Sequence, residues 1–230
     1  MRLLICSDIH GNQYAWRAFL KQVSKINYDH MVFLGDIFGY YYGQNEIIKD
    51  MSAIKGLIWL KGNHDQYFLD LVAGKTDTET LTARYGSTYQ EAYAMSEWAE
   101  KIASLPFSYS LKADGLELLF CHGTPENPSN GRCYPRDDWS PLDCLSYDVV
   151  ICGHTHFRMV RRGDNRQWLN TGSLGQPRDG NASGFLLYDT KSREYEYVDV
   201  PYDQTELFQE IQEKDPGFEK LIEVLKRKRV

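Results

Sequence analysis

Apolar and polar positions fall into two rhythms along the first sixty residues. Residues 2–7 form a short apolar run, followed by the loop Asp8-Ile9-His10-Gly11-Asn12. Ala15, Trp16, Phe19, Leu20, Val23 and Ile26 then recur at helical spacing, which predicts a helix over 13–26. Met31-Val32-Phe33-Leu34 reads as a second buried strand, closed by Gly35-Asp36. Residues 45–54 read as a helix and 57–60 as a third strand. Strand, helix, strand, helix, strand in such short steps predicts parallel βαβ units.

Farther along, residues 66–104 are helical in composition, with breaks near Gly74 and Gly86. Phe107 to Leu111 and Leu116 to Cys121 read as a hairpin turning at Asp114-Gly115. Residues 124–146 are polar, rich in Pro and Asn, and without periodicity, which marks a long functional loop. Val149-Val150-Ile151-Cys152 is another buried strand, and short strands follow near 157–161, 166–170, 184–189 and 194–199. Phe218, Leu221, Ile222 and Leu225 share one helical face, and the basic end Lys226-Arg227-Lys228-Arg229 suits a helix C-terminus. No internal repeat or linker divides the chain, so residues 1–230 are expected to form a single domain.

Composition narrows the function classes. The net charge is −6, with 42% hydrophobic and 25% charged residues. That balance argues against broad nucleic-acid or anionic-membrane binding. No apolar run is long enough to span a bilayer, and the N-terminus reads as a core strand rather than a signal peptide. The five cysteines, Cys6, Cys121, Cys133, Cys144 and Cys152, form no CxxC pair. An odd count without such a pair points to a reducing cytoplasm rather than a disulfide framework.

The chemistry concentrates at strand ends. Of six histidines, His10, His64, His122, His154 and His156 each follow an apolar strand, and only His30 does not. Asp8, Asp36 and Asn63 accompany them. In an open α/β architecture the C-terminal ends of strands meet at one edge, so these groups are expected to converge. Imidazole with carboxylate suits zinc, iron, manganese or nickel, whereas an all-oxygen set would suit magnesium or calcium.

Asp8-x-His10, Gly35-Asp36, Gly62-Asn63-His64-Asp65, His122 and Gly153-His154-Thr155-His156 together resemble the motif series of the calcineurin-like metallophosphoesterase superfamily, in family order over residues 8 to 156. Asn170-Thr171-Gly172-Ser173 with Gln176-Pro177-Arg178 is similar to its small single-domain prokaryotic branch of phosphodiesterases and dinucleoside polyphosphate hydrolases. The resemblance implies a four-layer α/β/β/α sandwich of two mixed sheets flanked by helices. It implies two divalent transition-metal ions (Mn, Fe, Ni, Co or Zn), one on Asp8, His10, Asp36 and His156, the other on Asp36, Asn63, His122 and His154. Two ions ~3.5–4 Å apart would clamp the attacking and leaving oxygens, with a metal-bound hydroxide as nucleophile. His64, the motif histidine not needed as a ligand, would be the catalytic proton donor to the leaving oxygen or a clamp on the phosphate, with Asp65 as support. The implied substrate is a small phosphorylated molecule, such as a nucleotide. A phosphodiester or dinucleoside polyphosphate is preferred over a phosphomonoester or phosphoprotein, and a non-catalytic scaffold of the same fold is the rival.

Two positions depart from the family pattern. Gly39 stands where the serine/threonine phosphatases carry the Asp that partners the catalytic histidine, and Tyr40 where they carry a phosphate-binding Arg. The partner of His64 must therefore come from elsewhere. Asn12, Tyr40, Arg132, Arg136 and Arg178 are candidate substrate contacts; the alternatives are capping of the first helix for Asn12, loop packing for Tyr40, solvated loop charges for Arg132 and Arg136, and bracing of the Gly172 turn for Arg178. Segments 66–104 and 124–146 are the expected cleft walls. A homodimer, through an exposed C-terminal strand or the helix near 218–226, is left open.

Overall fold

Period-two alternation in the first strand decides the layering. In β1 (Arg2–Cys6), Leu3 and Ile5 alternate with Leu4 and Cys6, and all four are fully buried. A strand buried on both faces needs a packing layer on each side. Leu4 and Cys6 share an apolar cluster with Trp16 and Phe19 of α1 (Gln13–Val23) and with Ile47, Ile48 and Met51 of α2 (Gln44–Ala53). Leu3 and Ile5 share another with Val32, Leu34 and Leu60 and with Leu118, Phe120, Val149 and Ile151 of a second sheet. Burying one Leu- or Phe-sized side chain is worth ~1.5–3 kcal/mol, so packing rather than propensity holds helices this short.

The computed structural model describes residues 1–138 and 145–227; Cys144, Lys228-Arg229 and the middle of the 124–146 loop lie outside the described residues. It has two five-stranded mixed sheets flanked by helices. The first runs β10 (Glu194–Asp199), β9 (Gly184–Asp189), β1, β2 (His30–Phe33), β3 (Ile58–Trp59), with β1, β2 and β3 parallel. The second runs β4 (Ser108–Ala113), β5 (Leu116–Cys121), β6 (Val149–Cys152), β8 (Gln167–Thr171), β7 (Arg158–Arg162), with β5, β6 and β8 parallel. Its outer face carries Leu119, Cys121, Val150, Cys152 and Trp168, packed with Cys133 and Leu145 from the flanks of the polar loop.

The 66–104 stretch resolves into α3 (Asn63–Val72), α4 (Thr78–Tyr85), α5 (Thr88–Tyr93) and α6 (Ala99–Ser104). The chain breaks at Gly74 and Gly86, whose φ values of 69° and 87° only glycine adopts freely. Beyond the sheets, α7 (Thr205–Lys214) is a helix the sequence pattern did not single out, and α8 (Lys220–Glu223) is shorter than the 218–225 face predicts. Leu207, Ile211 and Leu221 pack on Tyr41 and Tyr42, so two of the three consecutive tyrosines are core. No helix among the described residues is long and apolar enough to cross a membrane.

Candidate metal centre and its cleft

Parallel strands deliver their C-terminal ends to one edge, and every strand-end motif lies there. β1 leads to Asp8 and His10, β2 to Asp36, and β3 to Asn63 and His64 at the start of α3. From the second sheet, β5 leads to His122 and β6 to His154 and His156. All eight side chains are at most 8% exposed. Six of the eight non-glycine residues with left-handed φ among the described residues stand here: Asp8, His10, Asp36, Tyr40, His154 and His156. Such backbone costs ~1–3 kcal/mol per residue and persists where the surrounding structure over-determines it.

The hydrogen bonds fix which imidazole nitrogen is free. His10 Nδ1 lies 2.7 Å from the Phe38 carbonyl, His156 Nδ1 2.7 Å from the Gln176 carbonyl and His122 Nδ1 3.0 Å from the Leu34 carbonyl. A carbonyl only accepts, so each Nδ1 carries a proton, and each ring in its neutral form turns an Nε2 lone pair inward. His10 Nε2 and His156 Nε2 face each other at 3.0 Å, with Asp8 Oδ1 3.2 Å from His156 Nε2. His122 Nε2 faces Asn63 Oδ1 at 3.0 Å and Asp36 Oδ2 at 3.3 Å. Asp8 Oδ1 is buried without a hydrogen-bond partner. Acceptor atoms that converge in this way, with Asp8 Oδ1 left unpartnered, are what a cation requires, so these residues fit divalent metal ions.

Ligand atoms of Asp8, His10 and His156 lie within 4.8 Å of one another, as do those of Asp36, His122 and His154, and those of His10, Asp36 and His64. Asp36 stands between the first two sets. Its Oδ2 is 3.7 Å from His10 Nε2 and 3.3 Å from His122 Nε2, and its Oδ1 accepts the His64 N–H at 2.8 Å. Gly62 is required beside it, because a Cβ there would sit 2.1 Å from Asp36 Oδ1. Asp65 braces the turn. Its carboxylate accepts four backbone N–H groups, from Gly62 (2.7 Å), Asp36 (2.9 Å), Ile37 (2.8 Å) and Phe38 (3.3 Å).

Burial dominates the titration behaviour. It holds His10 and His64 well below the usual imidazole range and brings His154 down to about 3. His122 goes the other way: burial disfavours its imidazolium, but the Asp36 carboxylate outweighs that and raises it to about 9.

His64 has a partner that the sequence pattern did not reveal. Its Nδ1 lies 2.9 Å from the Tyr89 hydroxyl, which also donates to the His64 carbonyl at 3.2 Å. Tyr89 is a fully buried residue of α5. At Gly39, with φ 94°, a Cβ would fall 2.3 Å from His64 Nδ1, so the imidazole occupies the space an Asp side chain would need. Tyr85 and Tyr67 pack on the same ring, with centroids 4.6 and 5.2 Å away.

The cleft over the centre, about 200 Å³, is walled by Tyr67, Arg84 and Tyr85 from the α3–α4 region and by Arg132 and Tyr134 from the polar loop. Tyr40 and Arg178 also line it, with Arg178 Nη2 donating to the Tyr40 hydroxyl at 2.9 Å. Arg132 Nε donates to His154 Nε2 at 3.3 Å. Two candidate substrate contacts are placed elsewhere. Arg136 is exposed and does not line the cleft. Asn12 is fully buried and caps α1, its Oδ1 accepting the Ala15 N–H at 3.0 Å while its Nδ2 donates to the Gly175 carbonyl and the Tyr202 hydroxyl.

Several known proteins are similar. An uncharacterized protein of Methanocaldococcus jannaschii is 28% identical over 232 aligned residues, covering 91% of each chain. Among solved structures, a metallophosphoesterase from Sphaerobacter thermophilus superposes with TM-score 0.81 at 24% identity, over 99% of this chain and 98% of that one. A hypothetical protein of Pyrococcus horikoshii OT3 does so with TM-score 0.80 at 19% identity, over 97% of both. Residues 1–193 match the calcineurin-like phosphoesterase superfamily domain. The chain is thus a metallophosphoesterase belonging to the calcineurin-like phosphoesterase superfamily, which uses divalent metal ions.

Proposed function

We propose that this metallophosphoesterase hydrolyses phosphodiester or oligophosphate bonds in small phosphorylated molecules, nucleotides among them. Asp8, His10, Asp36 and His156 hold one divalent ion, and Asp36, Asn63, His122 and His154 a second. The observation that carries this reading is the position of Asp36 between two sets of inward lone pairs. When bound, such ions supply the positive charge that accepts phosphoryl oxygens and acidifies the attacking water. The nitrogen–carboxylate donor set suits manganese, iron, cobalt, nickel or zinc.

The chain's own groups do the rest. Nδ1–H of His64 donates to Tyr89, whose hydroxyl proton goes to the His64 carbonyl, and this leaves Nε2 as the atom that gains and passes a proton. Burial, followed by the neighbouring His156 and Arg178, keeps the ring neutral, and an anionic phosphate in the cleft favours its charged form. A carboxylate partner would stabilise the imidazolium, whereas Tyr89 only orients it, so His64 is a readier donor to the leaving oxygen. Arg132 and Arg178 offer N–H groups to the phosphoryl oxygens. Tyr67, Tyr85 and Tyr134 provide ring faces for the organic groups on either side of a diester. A cytoplasmic location belongs to the same reading, since Cys6, Cys121, Cys133 and Cys152 are buried free thiols.

The test is a phosphoester panel with Mn²⁺, Co²⁺, Ni²⁺ and Mg²⁺. It includes bis-4-nitrophenyl phosphate, 2′,3′-cyclic nucleotides, diadenosine tetraphosphate and a monoester. Turnover of diesters or oligophosphates above the monoester is expected. No hydrolysis under any metal would leave the scaffold reading in its place.

A further inference from the structure

A second cleft adjoins the metal centre. Its volume is about 330 Å³, and it shares Tyr40, Arg84 and Arg178 with the first. These residues make the two clefts adjoining lobes, and in the shared wall the Arg178 guanidinium carbon lies 5.5 Å from the Tyr40 ring centroid. Lys220 and Arg227 line only the second lobe, together with the buried Leu221 and Val224.

Charge makes this lobe unusual. The chain has 32 acidic against 26 basic residues, yet four cationic side chains, Arg84, Arg178, Lys220 and Arg227, line this lobe. Among the described residues none of the four has a carboxylate within ion-pair distance, whereas Arg17, Lys75, Lys112, Arg158 and Lys214 all do. Lys220 is held in place by donating to the Arg84 carbonyl at 3.1 Å, which ties α8 to the end of α4. Like charges gathered without counter-charges repel, and a bound anion relieves that repulsion. Guanidinium forks beside an ammonium suit phosphoryl oxygens, and the apolar floor suits an attached organic group.

We infer that the second lobe is a binding site for a further phosphoryl group of the substrate, so that the enzyme takes oligophosphate esters whose scissile phosphate sits at the metal centre and whose next phosphates lie under Arg84, Lys220 and Arg227. The inference rests on the proposed function for its account of the first lobe. It deepens that reading from phosphoesters in general to substrates with several phosphates in series.

The test compares wild type with Lys220→Ala/Arg227→Ala and with Arg227→Ala alone, since Arg227 makes no hydrogen bond or ion pair among the described residues. Lys21→Ala/Lys55→Ala, two exposed cations outside both lobes, controls for net charge. In the Mn²⁺-loaded enzyme, kcat/KM for diadenosine tetraphosphate relative to bis-4-nitrophenyl phosphate is expected to fall roughly tenfold or more in the double variant. It is expected to fall by a smaller factor in Arg227→Ala and to stay unchanged in the control. Calorimetry at fixed free Mn²⁺ gives a readout that needs no turnover. The bismethylene analogue of tripolyphosphate should bind the double variant roughly tenfold more weakly than wild type, while methylphosphonate binds both alike. Equal affinity of wild type and double variant for the analogue would overturn the inference and leave the proposed function standing. So would an equal loss in the control. A wild type that hydrolyses no phosphoester but shows the calorimetric difference would defeat the proposed function and keep the lobe.

Discussion

Gly39→Ala is the most informative single substitution, because it separates the imidazole from its support without touching a candidate ligand. The new Cβ would lie 2.3 Å from His64 Nδ1 and 3.0 Å from Cε1, where ordinary contact begins at 3.4 Å. The ring must therefore move by 3.4 − 2.3, or 1.1 Å, at the nearest atom. Three costs follow. Alanine at φ 94° is strained by ~1–2 kcal/mol. Overpacking of a buried site adds ~1–3 kcal/mol. The 2.9 Å bond from His64 to Tyr89 is lost, at ~0.5–1.5 kcal/mol. The sum, ~2.5–6.5 kcal/mol, should lower the midpoint of thermal unfolding by about 5–26 °C in a chain of this size. A 1 Å misplacement of the proton donor should cost ~10²-fold in kcat. The loss should be greatest for an alkyl leaving group, which needs the proton, and smallest for nitrophenolate. Differential scanning fluorimetry and initial rates on matched alkyl and nitrophenyl diesters supply both numbers. A variant that melts with wild type and keeps its alkyl-ester rate would refute the argument. Gly39→Asp, despite restoring the phosphatase residue, is expected to do no better than Gly39→Ala.

Tyr89→Phe removes one hydroxyl and leaves the ring. Loss of a hydrogen bond worth ~0.5–1.5 kcal/mol predicts a ~2–13-fold drop in kcat on alkyl esters with metal content unchanged by elemental analysis; unchanged kcat would show that Tyr89 does not position His64. Asp65→Asn leaves one acceptor oxygen and an amide for four N–H groups, so thermal stability should fall by ~1–3 kcal/mol and metal affinity by ~10–100-fold. Equal stability and affinity would contradict the bracing role. His122 must be neutral to ligate, and its pKa raised to about 9 keeps it protonated at lower pH in the metal-free protein. Mn²⁺ affinity measured by calorimetry should therefore rise by up to tenfold per pH unit up to about pH 9 and flatten above it. A profile flat between pH 6.5 and 8.5 would refute this assignment.

The metal cluster was readable in the sequence because strand ends are local features. An apolar run followed at once by Asp, His or Asn marks both the strand and the edge where its terminal residue lies. The family order of the motifs then implied how these groups divide into two sets. The surroundings of His64 were not readable. Tyr89 and Tyr85 come from helices beyond Gly74 and Gly86, and nothing in their spacing distinguishes a ring that faces an imidazole from one that packs in a core. Gly39 showed that the usual partner was missing but not what replaced it. Asn12 and Arg136 illustrate the opposite difficulty. A polar residue near a motif is as easily a helix cap or a solvated loop charge as a substrate contact. The helix at Thr205–Lys214 did leave a trace, in the i, i+4 pair Leu207 and Ile211, but a single pair among so many polar residues is a weak signal. The second lobe depends on Arg84, Arg178 and Lys220, which lie far apart in the chain and meet only through packing of α8 on the end of α4.

The central claim is a centre of two metal ions joined by Asp36. The most direct measurement is elemental analysis of the Mn²⁺-loaded, desalted protein, paired with its rate on bis-4-nitrophenyl phosphate. About two ions per chain are predicted for wild type, falling to about one or fewer in Asp36→Asn together with loss of turnover. One ion per chain in wild type, with a rate that Asp36→Asn leaves intact, would contradict it.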